Sequence, residues 1–526
     1  MLTIAVLGIP GALDAQCEPS RDRIRAAGMD GSLVIVGGGQ VPAAARERFL
    51  ELAGGTAARL VVIPTASARA DDGDPETWLA PWRNAAPASL QLLHARERRD
   101  ADDPGFVAPL KEATGVWFAG GDPSRIARAY VGTRVEKVLA ALLERGGVIG
   151  GTSGGAAVLS RVMIASGTER AVLGRGFDFL PGAVIDQHFS ERQRKTRLRA
   201  VLESRRGLVG LGVDEGTAAI VRGRRLQVVG RSSVTLLLGP GELRPEGRET
   251  VLRAGAVADW TTLRRAAAAR ARPRFPPERP RPPEVTNGAL VIVGGGMPDA
   301  ALRRFIELAG GPDAPILVIP TAVPDPVPAV PRDALLLRRA GARRIEVLHG
   351  RTTEEVEAPR FLDALRRARG VWFGGGRQWR FVDAYAGTKA CELFHDVLRR
   401  GGVIGGSSAG ASIQADYLVR GHPLGNRRMM AEGYERGFGF LPGTAVDQHF
   451  AQRRRLPDMT RLMRAFPQLL GIGIDERTAL VVEGHVGRVV GDHDVRFYDW
   501  RTPPSPGAPD HVVVGPGGRY DLLERR

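Results

Sequence analysis

The chain has 526 residues, 43% of them apolar, and a formal net charge of +16, enough length for two or more domains that each bury a core. Its two cysteines, Cys17 and Cys391, are too few and too far apart in sequence for a disulfide framework or a zinc site. No apolar run reaches the ~18 residues of a membrane span, and the arginines are not interleaved with aromatics, so neither a membrane-spanning nor a nucleic-acid-binding protein is indicated.

At the start, Leu2 to Leu13 is a short apolar run and Ala12-Leu-Asp-Ala15 reads as a cleavage site, but no positive residue precedes it. Residues 1–28 are an extension or a secretion signal, which leaves cytoplasmic and secreted locations both open. From there the pattern alternates. Leu33 to Val36, Leu60 to Ile63, Gly115 to Phe118 and Val148 to Ile149 read as strands buried on both faces; Ala43 to Leu52 and Ser124 to Leu143 read as helices. This alternation predicts a parallel sheet with helices on both sides. A β-rich tail, Gly212 to Leu238, is expected to extend that sheet with strands and hairpins.

A Pro/Arg tract follows from Arg272 to Pro283, with too few apolar groups to repay ordering, and residues 263–286 are read as a stiff, extended linker. Part of the basic charge belongs to it. The whole order then recurs. Leu33-Val-Ile-Val-Gly-Gly-Gly39 returns as Leu290-Val-Ile-Val-Gly-Gly-Gly296, Arg145-Gly-Gly-Val-Ile-Gly-Gly151 as Arg400-Gly-Gly-Val-Ile-Gly-Gly406, and the β-rich tail as Gly473 to Tyr498. A repeat of this length is a duplicated domain and not a solenoid unit, which gives copy one at 29–262 and copy two at 287–526.

The glycine clusters after the first strand of each copy lack both the G-x-G-x-x-G spacing and a Walker A lysine, so they read as tight turns at the sheet edge where ligands bind. Two other turns carry chemistry. Gly151-Thr-Ser153-Gly-Gly155 and Gly406-Ser-Ser408-Ala-Gly410 follow a Val-Ile strand and precede a helix-compatible run. Small neighbours permit the sharp turn that exposes a nucleophilic hydroxyl and aims the next amide, of Gly154 or Ala409, at a developing oxyanion. Of the nine histidines, only His188 and His449 are read as occupying equivalent places, and an acid follows each at 27 residues, Glu215 and Glu476. Nucleophile, base and orienting carboxylate would then be Ser153, His188 and Glu215, and Ser408, His449 and Glu476. Asp214 or Asp475 could exchange roles with its neighbour. The order Ser, His, acid excludes an α/β-hydrolase, which runs Ser, acid, His.

Together, the strand-Gly-Gly-Gly start, Phe118-Ala-Gly-Gly-Asp122, the serine turn, Asp186-Gln187-His188-Phe189 with Arg192, Arg194 and Arg197, and Gly212-Val-Asp-Glu-Gly-Thr-Ala resemble the cyanophycinases of serine peptidase family S51. The resemblance implies an α/β fold of two tandem flavodoxin-like, class I glutamine amidotransferase-like three-layer domains with mostly parallel sheets. It implies a serine exopeptidase that uses no metal and no cofactor and acts on aspartyl bonds of a peptide or cyanophycin-like substrate. Substrate-binding positions carried over are Asp122, Asp186, Gln187, Arg192, Arg194 and Arg197 in copy one and Gln378, Asp447, Gln448, Arg453 and Arg455 in copy two, with Arg461 the candidate third arginine. Guanidinium groups suit a carboxylate-bearing substrate because they pair bidentately. The family string Gly-Gly-Asp-Gln is incomplete in both copies, as Gly120-Gly-Asp122-Pro123 and Gly375-Gly-Arg377-Gln378, so sites of unequal activity or different substrate are expected. The fusion further suggests that the copies pair as an intramolecular pseudo-dimer.

Overall fold

The computed structural model describes residues 24–526; the apolar run and cleavage site suggested within residues 1–28 and Cys17 lie outside the described residues. Two compact units contain Ala27–Pro273 and Arg274–Arg526. In the first, a central sheet runs in the order Val257–Asp259, Arg225–Gly230, Thr217–Gly223, Met29–Val36, Val148–Thr152, Gly115–Phe118, Arg59–Ile63, Ser89–Leu92. Its last five strands are mutually parallel. The second unit repeats the plan, from Val285–Val293 through Val403–Ser407, Gly370–Phe373 and Ile316–Ile319 to Ile345–Val347.

Successive strand residues enter opposite cores, as a sheet covered on both faces requires. Leu33, Ile35, Val116 and Phe118 join Ile126, Leu139 and Leu142 on one side; Val34, Val36, Leu60 and Trp117 join Phe49 and Trp82 on the other. The helix Ala43–Ala53 supplies Phe49. The single helix expected over 124–143 is two, Pro123–Tyr130 and Arg134–Glu144. Gly132 takes φ +82° between them, and the Thr133 hydroxyl donates back to the Tyr130 carbonyl, ending the first helix and turning the chain.

The tail strands do not all extend the central sheet. Thr217–Gly223 and Arg225–Gly230 do so antiparallel, whereas Val209–Val213 and Ser233–Leu238 join Ala183–Gln187 and Arg248–Arg253 in a separate four-stranded sheet. Glycine decides this. A Cβ on Gly210 or Gly212 would strike Leu202 or the Phe189 ring, so one face of that strand is bare backbone on which these side chains pack. Copy two has the same separation, with Leu441–Gln448, Leu470–Ile474 and Val495–Asp499 in the second sheet.

The expected linker is shorter than its sequence suggested. Residues 263–270 lie in a helix, Trp260–Arg270, capped by Asp259, whose side chain accepts from Thr262 N. Trp260, Leu263, Ala266 and Ala267 are buried in the core of copy one; their three-to-four spacing is an amphipathic face that the surrounding arginines obscured. The tract after it forms no regular element, and Phe275 stacks on Tyr417 of copy two with centroids 6.1 Å apart. No helix among the described residues is long and apolar enough to cross a membrane.

Candidate active site

Strand register gathers the chemistry at one edge. Val36 pairs with Thr152 and Gln187 with Val213, so Gly37, Ser153, His188 and the Asp214-Glu215 pair all leave parallel strands at their carboxyl ends. The two sheets meet there through a hydrogen bond from His188 N to Gly37 O of 2.6 Å, matched by His449 N to Gly294 O of 2.8 Å. Ser153 at φ 53° and His188 at φ 48°, with Ser408 at 55° and His449 at 50°, hold left-handed backbone. Such conformations cost free energy for non-glycine residues and persist where the surroundings enforce them.

In copy one, Ser153 Oγ lies 2.8 Å from His188 Nε2, and His188 Nδ1 lies 2.5 Å from Glu215 Oε1. In copy two the corresponding distances are 2.9 Å and 2.6 Å, for Ser408, His449 and Glu476. The hydrogen bond from His188, helped by Arg192 and Arg231, holds the Glu215 carboxyl below its usual range against partial desolvation. With the acid ionised, Nδ1 carries the imidazole proton and Nε2 is left to accept from the serine. Burial lowers the proton affinity of His449; Arg453 and Arg455 add to this, against the bond to Glu476.

Glycine makes room for the imidazole. A Cβ on Gly38 would come within 2.2 Å of His188 Cε1, and one on Gly295 within 2.3 Å of His449 Cε1. The first glycine cluster is thus a floor beneath the histidine as well as a turn. Gly154 and Ala409 begin the short helices Gly154–Ala157 and Ala409–Ser412, whose first amides have no intrahelical acceptor. The backbone of Gly120 and Gly375 passes beside each serine; a Cβ there would lie 3.5 Å or 3.6 Å from the serine Cβ.

The neighbouring acids are committed elsewhere. Asp214 accepts from Ser190 N, Ser232 Oγ and Ser233 Oγ at 3.1, 2.8 and 2.7 Å, and Asp475 from Ala451 N and Arg496 at 2.9 and 2.7 Å. Burial pushes the Asp214 pKa up, but its hydrogen bonds from Ser190, Ser233 and Ser232 outweigh that and lower it. The histidines therefore face Glu215 and Glu476 and not the aspartates.

The expected substrate arginines separate by exposure. Arg192 and Arg453 are exposed. Arg194 donates to Gln187 O at 2.7 Å, and Arg455 to Gln448 O at 2.7 Å; desolvation lowers both to about 10. Arg197 is turned inward. It is 2% exposed and Asp186 fully buried, and their bidentate pair leaves neither facing a substrate. Asp447 is equally buried. Arg461 points outward to Asp458, and Asp447 pairs instead with two buried arginines, Arg420 with Nε 3.0 Å away and Arg455 with Nη1 2.8 Å from Oδ1. Gln448 Oε1 accepts from Arg455 at 3.1 Å, whereas Gln187 Oε1 is buried with no partner. Asp122 caps the helix Pro123–Tyr130, and Gln378 is buried with Nε2 3.4 Å from Val419 O.

His188 and His449 are not the only histidines at equivalent places: a second matched network lies outside the strings that single them out. His94 and His349 are equivalent as well. Thr65 Oγ1 lies 2.8 Å from His94 Nδ1 and 2.7 Å from Tyr130 Oη, and His94 Nε2 lies 3.0 Å from Asp71. Thr321, His349, Tyr385 and Asp325 repeat this at 3.1, 2.7 and 3.2 Å. Its signal was the shared Pro-Thr-Ala and Leu-His strings at 64–66 and 93–94, and again at 320–322 and 348–349. The network braces the loop after the strand Arg59–Ile63; Ala66 O of that loop accepts from Asp122 N at 2.9 Å, beside the Gly120-Gly121 backbone next to Ser153. Among the described residues no group of three His, Cys, Asp or Glu could hold a metal ion.

The model of peptidase family S51 matches residues 33–229 and again 290–490, one stretch in each unit. The cyanophycinase of Trichormus variabilis is 32% identical over 211 residues, covering 39% of this chain and 70% of that protein. That of Synechococcus elongatus is 32% identical over 235 residues, covering 42% of this chain and 73% of its own length. A crystal structure of a peptidase from an acI-B1 Actinobacterium is 25% identical, with a TM-score of 0.36, covering 44% of this chain and 98% of that one. With most of both units matched by the family model, the chain belongs to peptidase family S51, a family of serine peptidases.

Proposed function

We propose that each copy is a cyanophycinase-like serine exopeptidase that hydrolyses aspartyl bonds of the β-Asp-Arg type through Ser153, His188 and Glu215 or Ser408, His449 and Glu476. The unbroken hydrogen-bond chain from serine through imidazole to glutamate, present in both units, carries this reading. The serine Oγ attacks the scissile carbonyl while Nε2 takes its proton, and the glutamate stabilises the imidazolium. Negative charge on the carbonyl oxygen forms toward the amide of Gly154 or Ala409. Nε2 then protonates the leaving amine, the acyl-enzyme forms, and a water deprotonated by the same imidazole releases it.

Arg192 and Arg453, exposed at matching positions of the two copies, are the arginines offered to a substrate carboxylate, whereas the exposed Arg461 is engaged by Asp458. A single matched exposed guanidinium, Arg192 in one copy and Arg453 in the other, also suits a second reading, a dipeptidase of short aspartyl or isoaspartyl peptides. Product analysis after incubation with cyanophycin and with β-Asp-Arg tests both. Dipeptide release from the polymer, lost in the Ser153→Ala/Ser408→Ala variant, supports the first; turnover of short peptides alone supports the second; no turnover of either leaves a binding module.

A further inference from the structure

In copy one, Arg197 neutralises the buried Asp186 from eleven residues on, with Nε 2.8 Å from Oδ2. Eleven residues beyond Asp447 stands Asp458, an acid. The charge has reversed at the matching place. Two carboxylates facing each other, one fully buried, would be strongly unfavourable. Arg420 resolves the conflict by standing between them: Nη2 donates to Asp447 Oδ2 and to Asp458 Oδ2, each at 2.9 Å, and the side chain is 3% exposed.

Arg420 comes from a segment where the copies diverge. The spacing between equivalent residues grows from 255 at the serine to 261 at the histidine, so copy two has six more residues between them. Copy one there has the strand pair Val162–Ser166 and Val172–Arg175. Copy two has a stretch pinned at two ends. At one, Arg420 Nη1 donates to Asn426 O at 3.1 Å and its backbone N to Met429 O at 2.9 Å. At the other, Arg377 donates to His422 O at 2.9 Å and Gln378 to Val419 O at 3.4 Å, directly after the glycines beside Ser408.

We infer that Arg420 is a positioning residue of the copy-two site. It shares the neutralisation of Asp447 with Arg455, whose Nη1 lies 2.8 Å from Oδ1, and takes the place beside the buried acid that Arg197 fills in copy one. It fixes the Gln448-His449 turn that follows and ties residues 419–429 to that site, where in copy one Arg197 donates instead to Gly167 O between the paired strands. The inference rests on the serine-peptidase reading above.

The test uses the full chain carrying Ser153→Ala, so that only Ser408 reports. A fluorophosphonate should label Ser408 in this background; an unreactive Ser408 would end the peptidase reading of copy two, and the role of Arg420 with it. Given a reactive Ser408, Arg420→Met should lower kcat, more than KM, by on the order of a hundredfold, the effect of a small misplacement of a catalytic group. Adding Asp458→Arg recreates the arrangement of copy one and should restore kcat to within about threefold, whereas Asp458→Asn should not. Full activity of Arg420→Met would overturn the inference. So would a Arg420→Met/Asp458→Arg chain no more active than Arg420→Met. If Arg420→Met does not fold, the double variant decides: folded and reactive supports the inference, and anything else refutes it.

Discussion

A Cβ on Gly154 would come within 2.1 Å of the Gly121 carbonyl oxygen, whereas Ala409 carries one at the same place in copy two. Gly154→Ala must therefore push the Gly120–Asp122 backbone away from Ser153. In a Ser408→Ala background it should lower kcat/KM about tenfold or more, the kinetic equivalent of the strain of an overpacked methyl; Ala409→Gly, measured with Ser153→Ala, should stay within about threefold. The depressed pKa of His449 sets a second expectation. Its imidazole must be neutral to accept the Ser408 proton, and burial favours the neutral form, so in the Ser153→Ala chain kcat/KM should fall only as pH drops below the ~6.5 of an ordinary imidazole. An acid limb centred above that value would contradict it. Serine and histidine were legible in the sequence because each recurs in a matched string; the choice between Asp214 and Glu215 was not. Adjacent residues at a strand end point in different directions, and the three serine donors that claim Asp214 come from distant parts of the chain.

Parallel strands ending in register explain why the elements were easier to read than the connections between them. Alternating apolar runs buried on both faces are a strong local signal, but the separation of the tail into two sheets depends on glycines whose meaning is a bare face for Leu198 and Phe189. The second histidine network is tertiary in the same way. Arg96 there donates to Thr65 O at 2.7 Å, Ser67 O at 2.9 Å and Asp71 at 2.8 Å, holding the loop that supports the Gly120-Gly121 backbone. Arg96→Ala leaves those carbonyls short of a partner, so the first unit should lose about 1–3 kcal/mol in denaturant unfolding, with a fall in copy-one kcat. Unchanged stability and kcat would show that the brace is dispensable. The helix Trp260–Arg270 was hidden by composition: its apolar face is alanine-rich, and arginines on the other positions made it read as linker.

Each hydrogen-bond chain from serine to glutamate closes within one unit. Single variants should behave additively: the rates of Ser153→Ala and Ser408→Ala on a common substrate should sum to that of the parent chain. A shortfall in the sum would show that one site depends on the other. Active-site titration with a fluorophosphonate, which needs no substrate, followed by mass spectrometry of the labelled peptides, tests the central claim most directly. Activation of both hydroxyls by their imidazoles predicts two adducts per chain, on Ser153 and Ser408, with labelling at each lost on His188→Ala or His449→Ala respectively. Labelling of neither serine in the folded protein would contradict the account.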